Sequence, residues 1–252
     1  NDDYNWNATI LLPAGYETEY KFTRGSWDNE AISIDCIIPA NHTAIAARKD
    51  IIRIKIDNWK DECNSKSAVI TGMVQYHRSV KSQHLENNRD VIVWLPPDYN
   101  EESSNYPVLY MHDGQNIVDQ STSFLGADWM VDEVATELIE DNKMSKIIVV
   151  GVYNTNSRTA EYSPIHLGRA YTQFLIEELK PFIDKNYRTL TGPENTAIAG
   201  SSMGGIISFH IAWEHPDVFG MSACMSPAFM IDDNEIVKRV KSYSGIKKPV
   251  KF

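Results

Sequence analysis

The chain has 252 residues, of which 42% are hydrophobic and 23% charged, and its formal net charge is −10. This composition excludes disordered and low-complexity chains, and the acidic balance argues against nucleic acid as a partner. The longest apolar stretch, Ile147 to Val152, is much shorter than the roughly 20 residues that cross a bilayer, so we expect no membrane partner.

Two halves of the chain show different patterns. Residues 1–66 contain short runs rich in branched and aromatic residues, at Ala8 to Leu12 and Tyr16 to Phe22. In a third run, Ile51 to Ile56, isoleucines alternate with basic residues, which is typical of a strand with one buried face. We therefore predict a small all-β sandwich in residues 1–66. Residues 67–252 alternate strands with amphipathic helices, which predicts an α/β domain with a mostly parallel sheet.

The predicted elements of the second half alternate along the chain. Strands are expected at Asp90 to Leu95, Val108 to His112, Ile147 to Val152, Thr196 to Ala199 and Met221 to Met225. Helices are expected at Asp128 to Glu140, Leu167 to Ile183 and Ile206 to Trp213, because their apolar residues recur at helical spacing.

The segment Gly200 to Gly204 reads G-S-S-M-G and lies between a predicted strand and a predicted helix. It matches the G-x-S-x-G pattern, in which a serine sits on a sharp, strained turn and the glycines on either side prevent collisions. Ser202 is therefore the candidate nucleophile. A turn of small residues that packs a helix closely onto a sheet is the competing interpretation.

Backbone N–H groups near this serine are candidates for an oxyanion hole. The N–H of Met203 would lie at the positive end of the helix that follows the turn. A second donor is expected from the loop after the strand Val108 to His112, where Gly114 and Gln115 can offer N–H groups.

Several segments together resemble the esterase D family of α/β-hydrolases, which includes feruloyl, acetylxylan and enterobactin esterases and S-formylglutathione hydrolases. They are NRDVIVWLPPDY from Asn88, YPVLYMHDGQN from Tyr106, the run Ile147 to Asn154, RTAEYSP from Arg158 and the segment from Ala197 to Phe219 that begins AIAGSSMGG. This resemblance covers roughly residues 69–252 and implies an α/β-hydrolase fold and a serine esterase without metal or organic cofactor. The segment LPAGYETEYKFTRGSWDNE from Leu12 resembles the end of starch-binding-type β-sandwich domains.

A complete catalytic triad is not recognisable. In this fold the acid and then the histidine follow the serine. Only His210 and His215 follow Ser202, and His210 lies about 12 Å along the same helix, so neither can meet the hydroxyl. A parallel sheet that stops near Phe252 would keep an unpaired edge, so we expect a piece of a longer esterase that is cut at both ends. A natural, non-catalytic relative that retains carbohydrate contacts is the alternative.

Four further residues are candidate substrate contacts. His112 ends a strand where the oxyanion loop begins, and we interpret it either as a loop-shaping histidine or as a substitute base. Arg158 is expected to pair with Glu161, with substrate contact as the alternative. Trp27 and Trp59 can form a platform for stacking sugars, although core packing explains each equally well.

These features predict hydrolysis of carboxylic esters through an acyl-enzyme on Ser202. The combination with a sugar-binding-like sandwich favours feruloyl or acetyl esters of polysaccharides and a secreted or periplasmic protein. A siderophore esterase is the alternative within the enzyme class.

Overall fold

The computed structural model of the chain describes residues 8–26, 29–33, 39, 41–46, 51–62, 70–124 and 126–252. The chain divides into two compact units, one of Asn1–Ser67 with Leu125–Ala127 and one of Ala68–Phe124 with Asp128–Phe252. The predicted boundary lies between residues 66 and 67.

The described residues of the N-terminal unit form two antiparallel sheets of two strands each. Strand β1 (Glu17–Tyr20) pairs with β3 (His42–Ile45), and β2 (Ala31–Ile32) pairs with β4 (Asn58–Trp59).

The prediction of a strand at residues 51–56 is wrong, as is that at residues 8–12. Neither segment is a strand, and Ile51 and Ile52 are 72% and 55% exposed. Alternating hydrophobicity yields a strand only where a neighbouring strand accepts its backbone hydrogen bonds and a second layer covers its apolar face. In the described residues neither segment belongs to a strand ladder, and the predicted β-sandwich stays a prediction.

The second unit is built on a mixed sheet of six strands. These are β5 (Met73–Val80), β6 (Arg89–Leu95), β7 (Val108–His112), β8 (Ile148–Val152), β9 (Thr196–Ser201) and β10 (Met221–Met225). Their order across the sheet is β10, β9, β7, β8, β6, β5. The pairs β5 with β6 and β6 with β8 are antiparallel, and the other neighbours are parallel.

Helices cover both faces of this sheet. They are α1 (Val131–Glu140), α2 (Arg158–Glu161), α3 (Gly168–Gln173), α4 (Lys180–Asn186), α5 (Met203–Glu214) and α6 (Glu235–Ser242), and a π-helical segment, Phe174–Leu179, joins α3 to α4. Along β6, Val91 and Val93 pack in a core with residues of α3, α4 and α5, whereas Ile92 and Trp94 pack in a core with residues of α1. Strands buried on both faces are continuously apolar, which explains why the sequence predicts them well.

The predicted strands and helices of this unit are confirmed, with some ends shifted. The helix expected from Asp128 begins at Val131, because Met130 before it adopts left-handed backbone angles, φ 52° and ψ 38°. The helix after the serine begins at Met203 rather than Ile206. Within the described residues, no helix combines the length and the apolar character that a membrane span needs.

Candidate active site

The loop after β7 and the turn after β9 meet at one edge of the sheet. The two strands are parallel neighbours, with Met111 opposite Ala199, so their carboxyl ends lie side by side. This is the edge at which α/β sheets bind ligands. A Cβ atom placed on Gly204, in the first turn of α5, would lie 3.3 Å from the Cβ of His112, so the two segments are in close contact.

Ser202 occupies a strained turn between β9 and α5. Its backbone angles are φ 55° and ψ −115°, which residues other than glycine rarely adopt. Its side chain is exposed. A Cβ on Gly200 would lie 2.6 Å from the carbonyl of Gly204, so this tight turn requires glycine there. The Ser202 N–H donates to the Met225 carbonyl (3.0 Å), and the Ser202 carbonyl accepts from the Ala228 N–H (3.1 Å). The segment after β10 therefore holds the turn in place.

Several backbone N–H groups at this edge donate to no protein group in the part of the chain that the structure describes. Those of Gly114, Gln115 and Met203 are among them. Met203 begins α5, and the first N–H groups of a helix have no partner within it and lie at its positive end. Gly114 and Gln115 begin a 3₁₀ turn, Gly114–Asn116, which leaves their N–H groups free in the same way. These groups are available to a bound anion.

A buried carboxylate, Asp113, holds the loop after β7. Arg158 donates to both of its oxygens, Nε to Oδ1 at 2.7 Å and Nη2 to Oδ2 at 2.8 Å. The Asn154 amide donates to Oδ1 at 2.6 Å. Burial would raise the pKa of Asp113, but the hydrogen bonds from Arg158 and Asn154 hold it below its usual value. The carboxylate therefore stays charged and ties the loop to α2 and to the end of β8. Sequence reasoning does not single out Asn154, although its place just after a strand at this edge is a usable signal.

The loop also lies directly on the backbone of β8. A Cβ on Gly114 would be 2.4 Å from the carbonyl carbon of Gly151, so the approach is possible only for glycine. The side-chain oxygen of Gln115 accepts from the Asn154 N–H (3.2 Å), and the backbone carbonyl of Gln115 accepts from the Thr122 hydroxyl (2.7 Å). The free N–H groups of this loop are thus held in fixed positions.

His112 lies beneath the loop rather than on its surface. It is 1% exposed, its Nδ1 is 2.9 Å from the Tyr171 hydroxyl, and its ring packs against the rings of Tyr162 and Tyr171. Burial lowers the pKa of His112 to about 4, so the ring is neutral at physiological pH. The expectation that His112 contacts substrate stays a prediction, and its place in the core favours the alternative interpretation, a histidine that shapes the loop. Its orientation depends on Tyr171, which no motif connects with it.

The expected pairing of Arg158 with Glu161 is also wrong. Glu161 is buried and accepts two hydrogen bonds from the equally buried Arg89, at 2.8 and 3.0 Å. Arg158 turns to Asp113 instead, and its side chain is 31% exposed. Because both Arg158 bonds engage the loop, its role in the structure is to position that loop.

The two tryptophans expected to stack on sugars belong to the N-terminal unit. Trp27 lies outside the described residues. Trp59 is half-buried in β4. The Arg24 guanidinium lies 5.0 Å from the centre of the Trp59 ring and covers one face of the indole.

No histidine hydrogen-bonds to the Ser202 hydroxyl among the described residues. His210 is buried within α5, and burial lowers its pKa to about 4. His215 follows the end of the same helix. The prediction that neither residue meets the serine is consistent with these positions.

Three carboxylates gather at the start of α1, where the sequence predicts no metal site. One oxygen each of Asp128, Asp132 and Glu133 lies within 4.8 Å of the others, and these side chains could hold a cation together. Asp132 is fully buried and accepts from the N–H (2.7 Å) and the hydroxyl (3.1 Å) of Thr71. Burial and the hydrogen bond with Asp132 raise the pKa of Glu133 to about 7. A proton that Glu133 keeps up to about pH 7 reduces the repulsion between it and the neighbouring carboxylates.

We expect Glu133→Gln to remove a pH dependence of stability. The unfolded chain releases this proton near 4.5, whereas the folded protein holds it up to about 7, so the wild type loses stability as pH rises through this interval. The glutamine amide can donate to Asp132 at every pH. Thermal melts between pH 4 and 8 should show that the melting temperature of the variant increases relative to that of the wild type as pH rises. Glu137→Gln, an exposed change on the same helix, is the matched control, and parallel curves for Glu133→Gln and the wild type would contradict the raised pKa of Glu133.

Comparison with known proteins shows what the chain is similar to. The family model described as "Putative esterase" matches residues 82–246. An endo-1,4-beta-xylanase/feruloyl esterase of Xylanibacter ruminicola is 32% identical over 155 residues, which are 59% of this chain and 21% of that protein. A ferulic acid esterase structure superposes with a TM-score of 0.52 and 27% identity, over 65% of this chain and 63% of that chain. The enterobactin esterase of Shigella flexneri superposes with a TM-score of 0.59 and 17% identity, over 71% and 44% of the two chains.

These matches establish the fold and the family. Five curated relatives are matched over 21% to 65% of their own lengths, so the chain spans less than two thirds of each. The central mixed sheet is that of an α/β-hydrolase-like fold, as the sequence predicts. The family model covers more than half of the chain and includes both the serine turn and the loop after β7, so the chain belongs to this esterase family.

Proposed function

We propose that the protein hydrolyses carboxylic esters through an acyl-enzyme on Ser202. The observation that carries this proposal is an exposed serine in a strained turn, beside free N–H groups from two separate segments. When a nucleophile attacks an ester, negative charge develops on the carbonyl oxygen, and donors already in place stabilise that charge. Membership in the esterase family supports the same chemistry.

The roles of the residues follow from their positions. The Ser202 hydroxyl attacks the carbonyl carbon, and the N–H groups of Met203 and of Gln115 or Gly114 hold the oxyanion. The alcohol then leaves, and water hydrolyses the acyl-enzyme. The attack needs a base for the hydroxyl proton, and in the described residues no histidine contacts Ser202. The experiments therefore use the protein as its source organism makes it, with its intact mass measured first.

The substrates we propose are feruloyl or acetyl esters of polysaccharides. Support comes from the relatives, since the names of a 32% identical protein and of a 27% identical structure include feruloyl or ferulic acid esterase. The enterobactin esterase, at 17% identity, supports the fold alone, so a siderophore substrate is less favoured. Polysaccharide esters lie outside the cell, and a secreted or periplasmic location accompanies this proposal.

Covalent labelling tests the nucleophile directly. An organophosphonate ester should add one phosphonyl group to the native protein, and peptide mapping should place it on Ser202. Heat-unfolded protein is the control, because a serine without its turn and N–H groups has ordinary reactivity. No adduct on the native protein, or an adduct on Ser201, would refute the assignment.

A further inference from the structure

A cavity of about 530 Å³ borders the serine turn. Its volume lies within the usual range of small-molecule sites, about 300 to 1,000 Å³. Met203, the residue after Ser202, forms part of its wall. The segment around α2 contributes Asn156, Ser163 and His166, and the segment after β10 contributes Ile231 and Asp232. The cavity therefore lies next to the turn that holds Ser202.

Asp232 and His166 form an open pair in this cavity. The Nε2 atom of His166 is 3.8 Å from Oδ1 of Asp232, which is longer than a hydrogen bond, and the two side chains are 61% and 17% exposed. The other carboxylate oxygen, Oδ2, accepts from the Ser163 hydroxyl at 2.5 Å. The protein thus fixes one oxygen of Asp232, while the other oxygen and the imidazole keep their capacity to bind a ligand.

The chemistry of the cavity fits a sugar better than an aromatic acid. A carboxylate oxygen accepts a hydrogen bond from one hydroxyl, and a nearby imidazole binds the next, so together they match two adjacent hydroxyls of a sugar ring. Ile231 and Met203 offer apolar surface for the ring carbons. Of the described residues that line the cavity, none is Phe, Tyr or Trp, so the His166 imidazole is the one ring on which a feruloyl group could stack.

We infer that His166 and Asp232 recognise hydroxyl groups on the alcohol side of the ester, and that this alcohol is a sugar. The inference rests on the proposed function, since it assigns one side of the bond that Ser202 would cleave. The pair determines specificity and takes no part in bond cleavage.

The test compares two esters of one acid, methyl ferulate and the ferulate ester of methyl arabinofuranoside. In His166→Ala and in Asp232→Asn, the ratio of kcat/KM for the sugar ester to kcat/KM for methyl ferulate should fall on the order of ten-fold, mainly through KM, since hydrogen bonds to a charged group are lost. Asp233→Asn is the matched control, because Asp233 is a neighbouring exposed carboxylate that pairs with Lys238 and does not line the cavity. His166 is largely exposed, so its variant should fold normally.

Binding of methyl arabinofuranoside alone, followed by NMR, separates this inference from the proposed function. If the wild type hydrolyses neither ester, the proposed function fails, yet sugar binding that both variants lose and the control keeps would still support the pair. A ratio that stays at the wild-type value in both variants would overturn the inference. Equal losses on both esters would also overturn it, and so would an absence of both hydrolysis and sugar binding.

Discussion

Replacing Ser202 by alanine is expected to reduce kcat by about 10⁴-fold or more, with little change in KM. The hydroxyl is the only part of Ser202 that reacts, whereas the N–H groups of Met203 and Gln115 belong to the backbone and remain in place. These groups continue to bind the ester carbonyl, so ground-state binding survives while the covalent route is lost. Steady-state kinetics with methyl ferulate measure both constants.

Ser201→Ala is the matched control for this change. Ser201 is the last residue of β9 and pairs with Met225 in the sheet, so its backbone is extended and its side chain lies outside the strained turn. We expect this variant to keep a kcat close to that of the wild type. A Ser202→Ala protein that folds normally and retains a tenth of the wild-type kcat would exclude the acyl-enzyme route. Equal losses of kcat in both variants would mean that the hydroxyl of Ser202 is not the nucleophile.

Local sequence patterns predict the framework of this site because burial and turn geometry act over short distances. The run at Ile147 to Val152 is apolar at nearly every position, as expected of a strand covered on both faces, and the structure has β8 there. The Gly200 to Gly204 pattern predicts a sharp turn, and the backbone angles of Ser202 confirm it. In each case the residues that decide the structure lie within a few positions of one another.

Long-range pairing is what the sequence could not predict. Arg158 and Glu161 stand three residues apart, which favours a local ion pair on a helix. In the structure α2 is only four residues long, and Glu161 faces the core, where its carboxylate accepts two hydrogen bonds from Arg89. Arg158 is then free to reach Asp113, 45 residues earlier in the chain. The alternating run at Ile51 to Ile56 fails for a related reason, because a strand needs partners that its own pattern does not encode.

Replacing Arg158 by alanine is expected to lower kcat by about 10- to 100-fold without a direct contact with the reacting atoms. Loss of one oxyanion donor costs about 10²- to 10³-fold in kcat, and a loop that is displaced only part of the time should cost less. The kcat of Arg158→Lys should lie between those of Arg158→Ala and the wild type, because lysine keeps the charge but cannot donate to both oxygens of Asp113 in parallel. Arg78→Ala, which breaks an exposed ion pair with Asp90, is the matched control and should keep the wild-type kcat.

The pH profile separates positioning of the loop from a general loss of stability. In the wild type, the hydrogen bonds from Arg158 and Asn154 keep the pKa of Asp113 low against the effect of burial. Without Arg158, burial dominates and the pKa of Asp113 rises, so the carboxylate takes up a proton at a higher pH than before. Activity of Arg158→Ala should therefore decline, as pH falls, at a higher pH than activity of the wild type. Since Asp113→Asn has no charge to lose, it should show a low kcat without this added pH dependence. Profiles of Arg158→Ala and the wild type that differ only by a constant factor would mean that Asp113 does not transmit the effect.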